Sequence, residues 1–277
     1  MKRKISGFII FTLLFAVAGF CATFKENIEK EFPFKPNNKL TVENVNGGIT
    51  IEGWDKEIVR IEVTKISKAQ NDSDAKDALN DVKVDFSTTP FGVSVNVKSE
   101  KSFSFFSWLC GKGSSVEVNF NIKIPKSARL ELNSVNGSIA AKVKEAEIIA
   151  ETVNGNIETA ESSLLTASTV NGSIEFETEN IGKIESVNGT IRGTILSQKP
   201  RGATIETVNG EISIKLNQSV QVSLSIENVN GSIRTDFKEI EGTKREKSGD
   251  INGGGETISI ETVNGTIEVI TISGGKT

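Results

Sequence analysis

The 277-residue chain carries 36 acidic and 32 basic side chains, a formal net charge of −4, and neither histidine nor tyrosine. Without histidine there is no Ser-His-Asp or Cys-His nucleophile and no histidine-based metal site. The acidic balance argues against nucleic acid and against electrostatic docking on anionic lipid.

Met1 to Phe20 has the layout of an export signal, with Lys2, Arg3 and Lys4 ahead of an apolar run from Gly7 to Phe20 that is short for a membrane span. Cleavage after Cys21 or Ala22 gives a leader over 1–21 and one mature domain over 22–277. Losing the three basic residues moves the charge from −4 to −7. The rival is an uncleaved N-terminal anchor, because apolar character persists to Phe24. Lipidation of Cys21 would be the other tie to a membrane, but that motif needs a small residue where Phe20 stands. Cys110 is the only other cysteine, so the mature chain has no disulfide framework.

Residues 22–126 read as an irregular part. Val45-Asn46-Gly47 is the first of eight Val-Asn-Gly copies, the others starting at Val135, Val153, Val170, Val187, Val208, Val229 and Val263. Each follows Asn, Ser or Thr, and each glycine is followed two residues later by isoleucine. Asn-Gly accepts positive φ, so a strand, a sharp turn and a second strand are expected around every copy. Leu40, Val42, Val45, Ile49 and Ile51 form the first such unit, and Val59, Ile61 and Val63 the next strand. Ser73 is placed to cap a short helix carrying Ala75, Ala78, Leu79 and Val82, which should cover an end or flank of the β structure. Strands resume at Val93, Val95, Val97 and at Val116 to Ile124. Between them Phe103, Phe105, Phe106 and Trp108 crowd a Ser/Gly/Lys-bounded segment. They read either as a local cap or as an exposed contact for a partner, a glycan or a membrane surface.

Residues 127–277 are a regular repeat array. From Val135 the valines advance by 18, 17, 17, 21, 21 and 34 residues. Equal side chains at equal phase are what stacked units require, so the expectation is all-β, a parallel β-solenoid with one short helix in the N-terminal insert. An antiparallel β-sandwich is the alternative. Stacking would align Asn46, Asn136, Asn154, Asn171, Asn188, Asn209, Asn230 and Asn264 in a structural ladder at one corner. It would also align Glu43, Glu151, Glu185, Glu206, Glu227 and Glu261, two before each valine. Such a row must be solvated, paired with lysine or bridged by cations, and a solvated face is favoured over a calcium row. Gly249 to Gly253 is a weak calcium-loop match, and the Lys238 to Gly255 stretch reads mostly as a protruding charged loop.

Gly53-Trp54-Asp55 after the first copy, Ile124-Pro125-Lys126 before the array and the serial repeats together resemble the bacterial putative-adhesin family of exported β-solenoid proteins, over roughly residues 28–272. The resemblance implies a β-helical fold and an envelope location, and it brings no catalytic residues. The reading is an exported, non-enzymatic cell-envelope protein located in the periplasm, at the cell surface or secreted. It would act as adhesin or scaffold, binding a glycan or surface protein or associating with itself, with no cofactor, metal or nucleic acid. A periplasmic envelope-stress component and a carboxylate-based polysaccharide lyase or hydrolase are the alternatives.

Overall fold

The computed structural model describes residues 22–99 and 114–272. The irregular part comprises β1 (Ala22–Pro33), β2 (Lys39–Glu43), β3 (Ile49–Trp54), β4 (Ile58–Ala69), α1 (Asp72–Asp81), β5 (Val82–Thr89), β6 (Gly92–Ser99) and β7 (Ser114–Pro125). The array begins with β8 (Arg129–Asn136), β9 (Ile139–Lys142), β10 (Glu147–Asn154), β11 (Ile157–Asn171), β12 (Ile174–Asn188) and β13 (Ile191–Ile195). It ends with β14 (Ala203–Asn209), β15 (Ile212–Leu216), β16 (Val222–Thr235), β17 (Glu241–Gly242), β18 (Glu246–Ile251) and β19 (Thr257–Thr271).

Two apolar columns build the core. Three residues before each repeat valine stand Val42, Leu132, Ala150, Ala167, Ile184, Ile205, Ile226 and Ile260, all fully or almost fully buried. Four residues after it, Ile49, Ile139, Ile157, Ile174, Ile191, Ile212 and Ile267 are equally buried, and Ile233 nearly so. Each large aliphatic contributes about 1.5–3 kcal/mol by leaving water. Because like residue lies on like residue in a parallel, in-register pair, the two columns run through successive layers without a change of phase. Asn154 pairs with Asn136, Asn171 with Asn154, and Asn188 with Asn171.

A uniform parallel solenoid is nevertheless not what forms, and neither is an antiparallel sandwich. All strands belong to one mixed sheet. The pairs β1/β4, β4/β7, β5/β6, β16/β18 and β17/β18 are antiparallel. Within the array β12, β13, β15, β19 and β14 close into a ring, a small five-stranded barrel. It closes because β12 and β19 are long and bent. One half of each pairs on the ring's first side and the other half on its second.

Layer order also departs from chain order. The last repeat lies between its two predecessors, with Asn264 paired to Asn209 on one side and to Asn230 on the other. The cause is the stretch expected to be a protruding loop, which instead forms β17 and β18. β18 runs antiparallel along the outer edge of β16. The consecutive positive φ values of Asn252, Gly253 and Gly254 (50°, 90° and 75°) then reverse the chain into the open slot.

Two local expectations also change. The cap of α1 is Asn71, whose side chain accepts the Asp74 N–H at 2.9 Å, rather than Ser73. Ala75 buries this helix against β4, β1 and β7, so it covers the antiparallel flank. Among the repeat glycines only Gly47 and Gly231 take positive φ (117° and 154°). The other six are glycine for space: a Cβ on Gly155, Gly172 or Gly189 would overlap the carbonyl oxygen of the glycine in the layer beside it.

Candidate functional site

Strand alternation fixes what the array shows to solvent. The residue three before each valine and the Ser, Thr or Asn just before it point inward, so the valine itself points out, beside the residue two before it. Val153, Val170, Val187, Val208, Val263 and Val229 are accordingly 39 to 55% exposed.

The small polar residue before the valine locks adjacent layers. Thr152, Thr169 and Ser186 donate from their hydroxyls to the carbonyls of Gly137, Gly155 and Gly172 at 3.0, 3.0 and 3.1 Å. Asn228 replaces the hydroxyl in its own layer, with Nδ2 donating to Gly265 O at 2.7 Å. Its Oδ1 is buried without a hydrogen-bond partner.

The repeat asparagines line up in the order of the layers, not of the chain. From Asn230 through Asn264, Asn209, Asn188, Asn171 and Asn154 to Asn136, each Nδ2 donates to the Oδ1 of the next at 2.8–3.0 Å. One donor direction throughout lets the amides polarise one another. Asn46 instead donates to Val116 O at 2.8 Å.

The glutamates two before each valine form a broken column. Asn133 and Ser168 interrupt it near Glu43 and Glu151, but Glu185, Glu206, Glu261 and Glu227 occupy four adjacent strands. Here the outer face dips into a groove of 580 Å³, lined by valines, these glutamates, and Thr243, Arg245 and Glu246 from the turn into β18. Sequence reasoning placed the glutamates but missed the turn residues, which reach the groove only through the displaced order of the last layers.

Other sequence candidates fall elsewhere. Phe103, Phe105, Phe106 and Trp108 lie outside the described residues, as do the leader and Cys21. Asp250 accepts from Ser223 Oγ at 2.6 Å, and Asp236 accepts from the N–H and hydroxyl of Thr271. Both carboxylates are thus tied into the fold. Among the described residues no group of three acidic or cysteine side chains is placed to hold a metal ion, and no helix is long and apolar enough to cross a membrane.

The two short motifs outside the array meet. Trp54 is the register partner of Pro125, and Asp55 and Lys126 form an ion pair at 2.6 Å. The hydrogen bond and charge of Lys126 lower the pKa of Asp55, and those of Asp55 raise that of Lys126. Trp54 Nε1 donates to Ile58 O at 2.8 Å, and the Lys56 ammonium lies over its ring at 4.8 Å. This cluster fixes the corner where β3 passes into β4.

No protein-family model and no curated protein matches the chain. Solved structures give weak likenesses. A structure described as a putative adhesin from Parabacteroides merdae is 14% identical, covering 89% of this chain and 96% of its own, with a TM-score of 0.38. A putative cell adhesion protein from Clostridium sporogenes is 11% identical over 89% of this chain and 100% of its own, at 0.37. A putative lipid binding protein from Parabacteroides distasonis is 14% identical over 89% and 97%, at 0.34. Scores this low carry no assignment to the chain.

Proposed function

We propose that this chain is an exported, non-catalytic cell-envelope protein, an adhesin or scaffold that holds a glycan or protein partner on its outer face. The supporting observation is the outward strip of valine, asparagine and glutamate, held rigid by hydrogen bonds from layer to layer. A surface fixed before binding loses little conformational freedom when a partner docks. The carboxylates of the strip repeat one another, whereas acid-base cleavage of a glycan needs two carboxyl groups in different environments. Purified protein is expected to bind a cell-envelope fraction and leave it chemically intact. Incubation with cell-wall and capsular polysaccharides, followed by reducing-end and unsaturated-product assays, tests this directly. Product formation abolished by one Glu or Asp substitution overturns it in favour of a lyase or hydrolase. The aromatic segment is the second contact of this proposal: Phe105→Ser with Trp108→Ser is expected to weaken envelope binding without lowering the melting temperature.

A further inference from the structure

We propose that the groove over the last four layers binds a linear polyamine, an aliphatic chain whose ammonium groups are spaced about one inter-strand step apart. Glu185, Glu206, Glu261 and Glu227 are successive register partners, and Glu227 is in turn the register partner of Glu246 on β18. Neighbouring strands lie about 4.8 Å apart, so the carboxylates form a column of that pitch. Glu185 is paired with Lys183 at 2.6 Å and Glu261 accepts from Ser259 at 2.8 Å. Glu206, Glu227 and Glu246 have no ion-pair partner among the described residues. The groove and its rim therefore set five carboxylates against two cations, the Arg245 guanidinium and the Lys183 ammonium that lies against Glu185.

Two residues along each strand runs a parallel column of exposed valines, Val187, Val208, Val263 and Val229. Stacked like charges repel, and an exposed apolar strip is unfavourable in water. A ligand that relieves both must carry cations in step with the glutamates and methylenes against the valines, as a lysine stem lies on apolar surface below its ammonium. Inorganic cations meet only the first need. An extended peptide laid across the strands presents side chains on one face every ~6.8 Å, out of step with a ~4.8 Å column. Nitrogens separated by three methylenes are in step with it. This binding is independent of the envelope reading, since it holds or fails on purified protein wherever the chain resides.

Calorimetric titration of the purified full-length protein with norspermine, four nitrogens with three methylenes between each pair, is the test. Norspermine is expected to bind at least tenfold tighter than magnesium ion or 1,3-diaminopropane at equal ionic strength. Glu206→Gln with Glu261→Gln is expected to lower its affinity at least tenfold without lowering the melting temperature, and Val208→Thr with Val263→Thr to lower it severalfold. Norspermine binding no tighter than magnesium, or unchanged in the glutamine variant, overturns the proposal. So does a lysine-rich peptide that binds where norspermine does not, an outcome that assigns the groove to a protein partner.

Discussion

The parallel array and the antiparallel flank of β1, β4 and β7 share one sheet and one core, yet they treat charge in opposite ways. In-register parallel pairing sets identical residues side by side, so Glu206 lies against Glu185 and Glu261. Antiparallel pairing carries no such obligation, and Glu26 faces Lys65, whose ammonium it holds at 2.7 Å although the lysine side chain is only 5% exposed. Where Glu29 does face Glu62, Arg60 stands between them at 2.9 and 3.1 Å. Repetition in sequence is therefore the mark of parallel pairing: residues 22–126 carry a single copy, between β2 and β3, whose pairs are parallel, and none in the antiparallel flank.

Breaking the array where its layers touch should have the largest effect. Gly189→Ala forces a Cβ into the carbonyl of Gly172 and is expected to cost about 3 kcal/mol in denaturant unfolding. Gly48→Ala, whose Cβ meets nothing nearer than 3.6 Å, should stay within about 0.5 kcal/mol. In the flank, Glu26→Gln leaves Lys65 buried without its counter-charge, an expected loss of about 2 kcal/mol because Glu26 is partly solvated. Asn188→Ala removes one donated and one accepted bond of the amide run and should cost about 1 kcal/mol. Asn230→Ala, at the end of the run, should cost less.

The same Glu→Gln change should reverse sign in the array. Glu206→Gln relieves repulsion from both neighbours and is expected to stabilise by about 0.5 kcal/mol at low salt, fading as salt is added. Equal signs for Glu26→Gln and Glu206→Gln would break the contrast between the two regions. The smallest effect is expected at the exposed Asp55–Lys126 pair. Lys126 depresses the pKa of Asp55, so its contribution is present above the ordinary carboxylate value and is lost as pH falls through the lower folded value. The raised pKa of Lys126 makes the complementary contribution, lost as pH rises through it. Asp55→Asn should lower the melting temperature slightly at neutral pH and leave it unchanged at low pH, and so flatten the acid limb of the profile.

Much of the array could be read from its residues, because alternation and repeat phase are local properties. They located the buried columns and the asparagine and glutamate rows, whereas the repeat valines, grouped in the sequence with the apolar residues of each unit, point outward. Layer order was not legible. Nothing in the 21- and 34-residue steps states that Asn264 will settle between Asn209 and Asn230, since that depends on β18 finding the edge of β16. The solenoid expectation failed for the same reason: periodicity reports which residues share a phase, not whether long strands such as β12 and β19 bend to close a ring. The glycines teach a related point. Asn-Gly suggested positive φ throughout, whereas contact between layers, a long-range property, explains six of the eight.

The interleaved last repeat has a consequence for how the chain is made. Layers from β8 to β14 can assemble as they emerge, each on the one before. β16 cannot, because the neighbour it needs, β19, is the last strand described. Until that strand arrives, β14 and β16 both present unpaired edges, so a nascent or threading chain holds two sticky surfaces until its C-terminal strand slots in and seals them together.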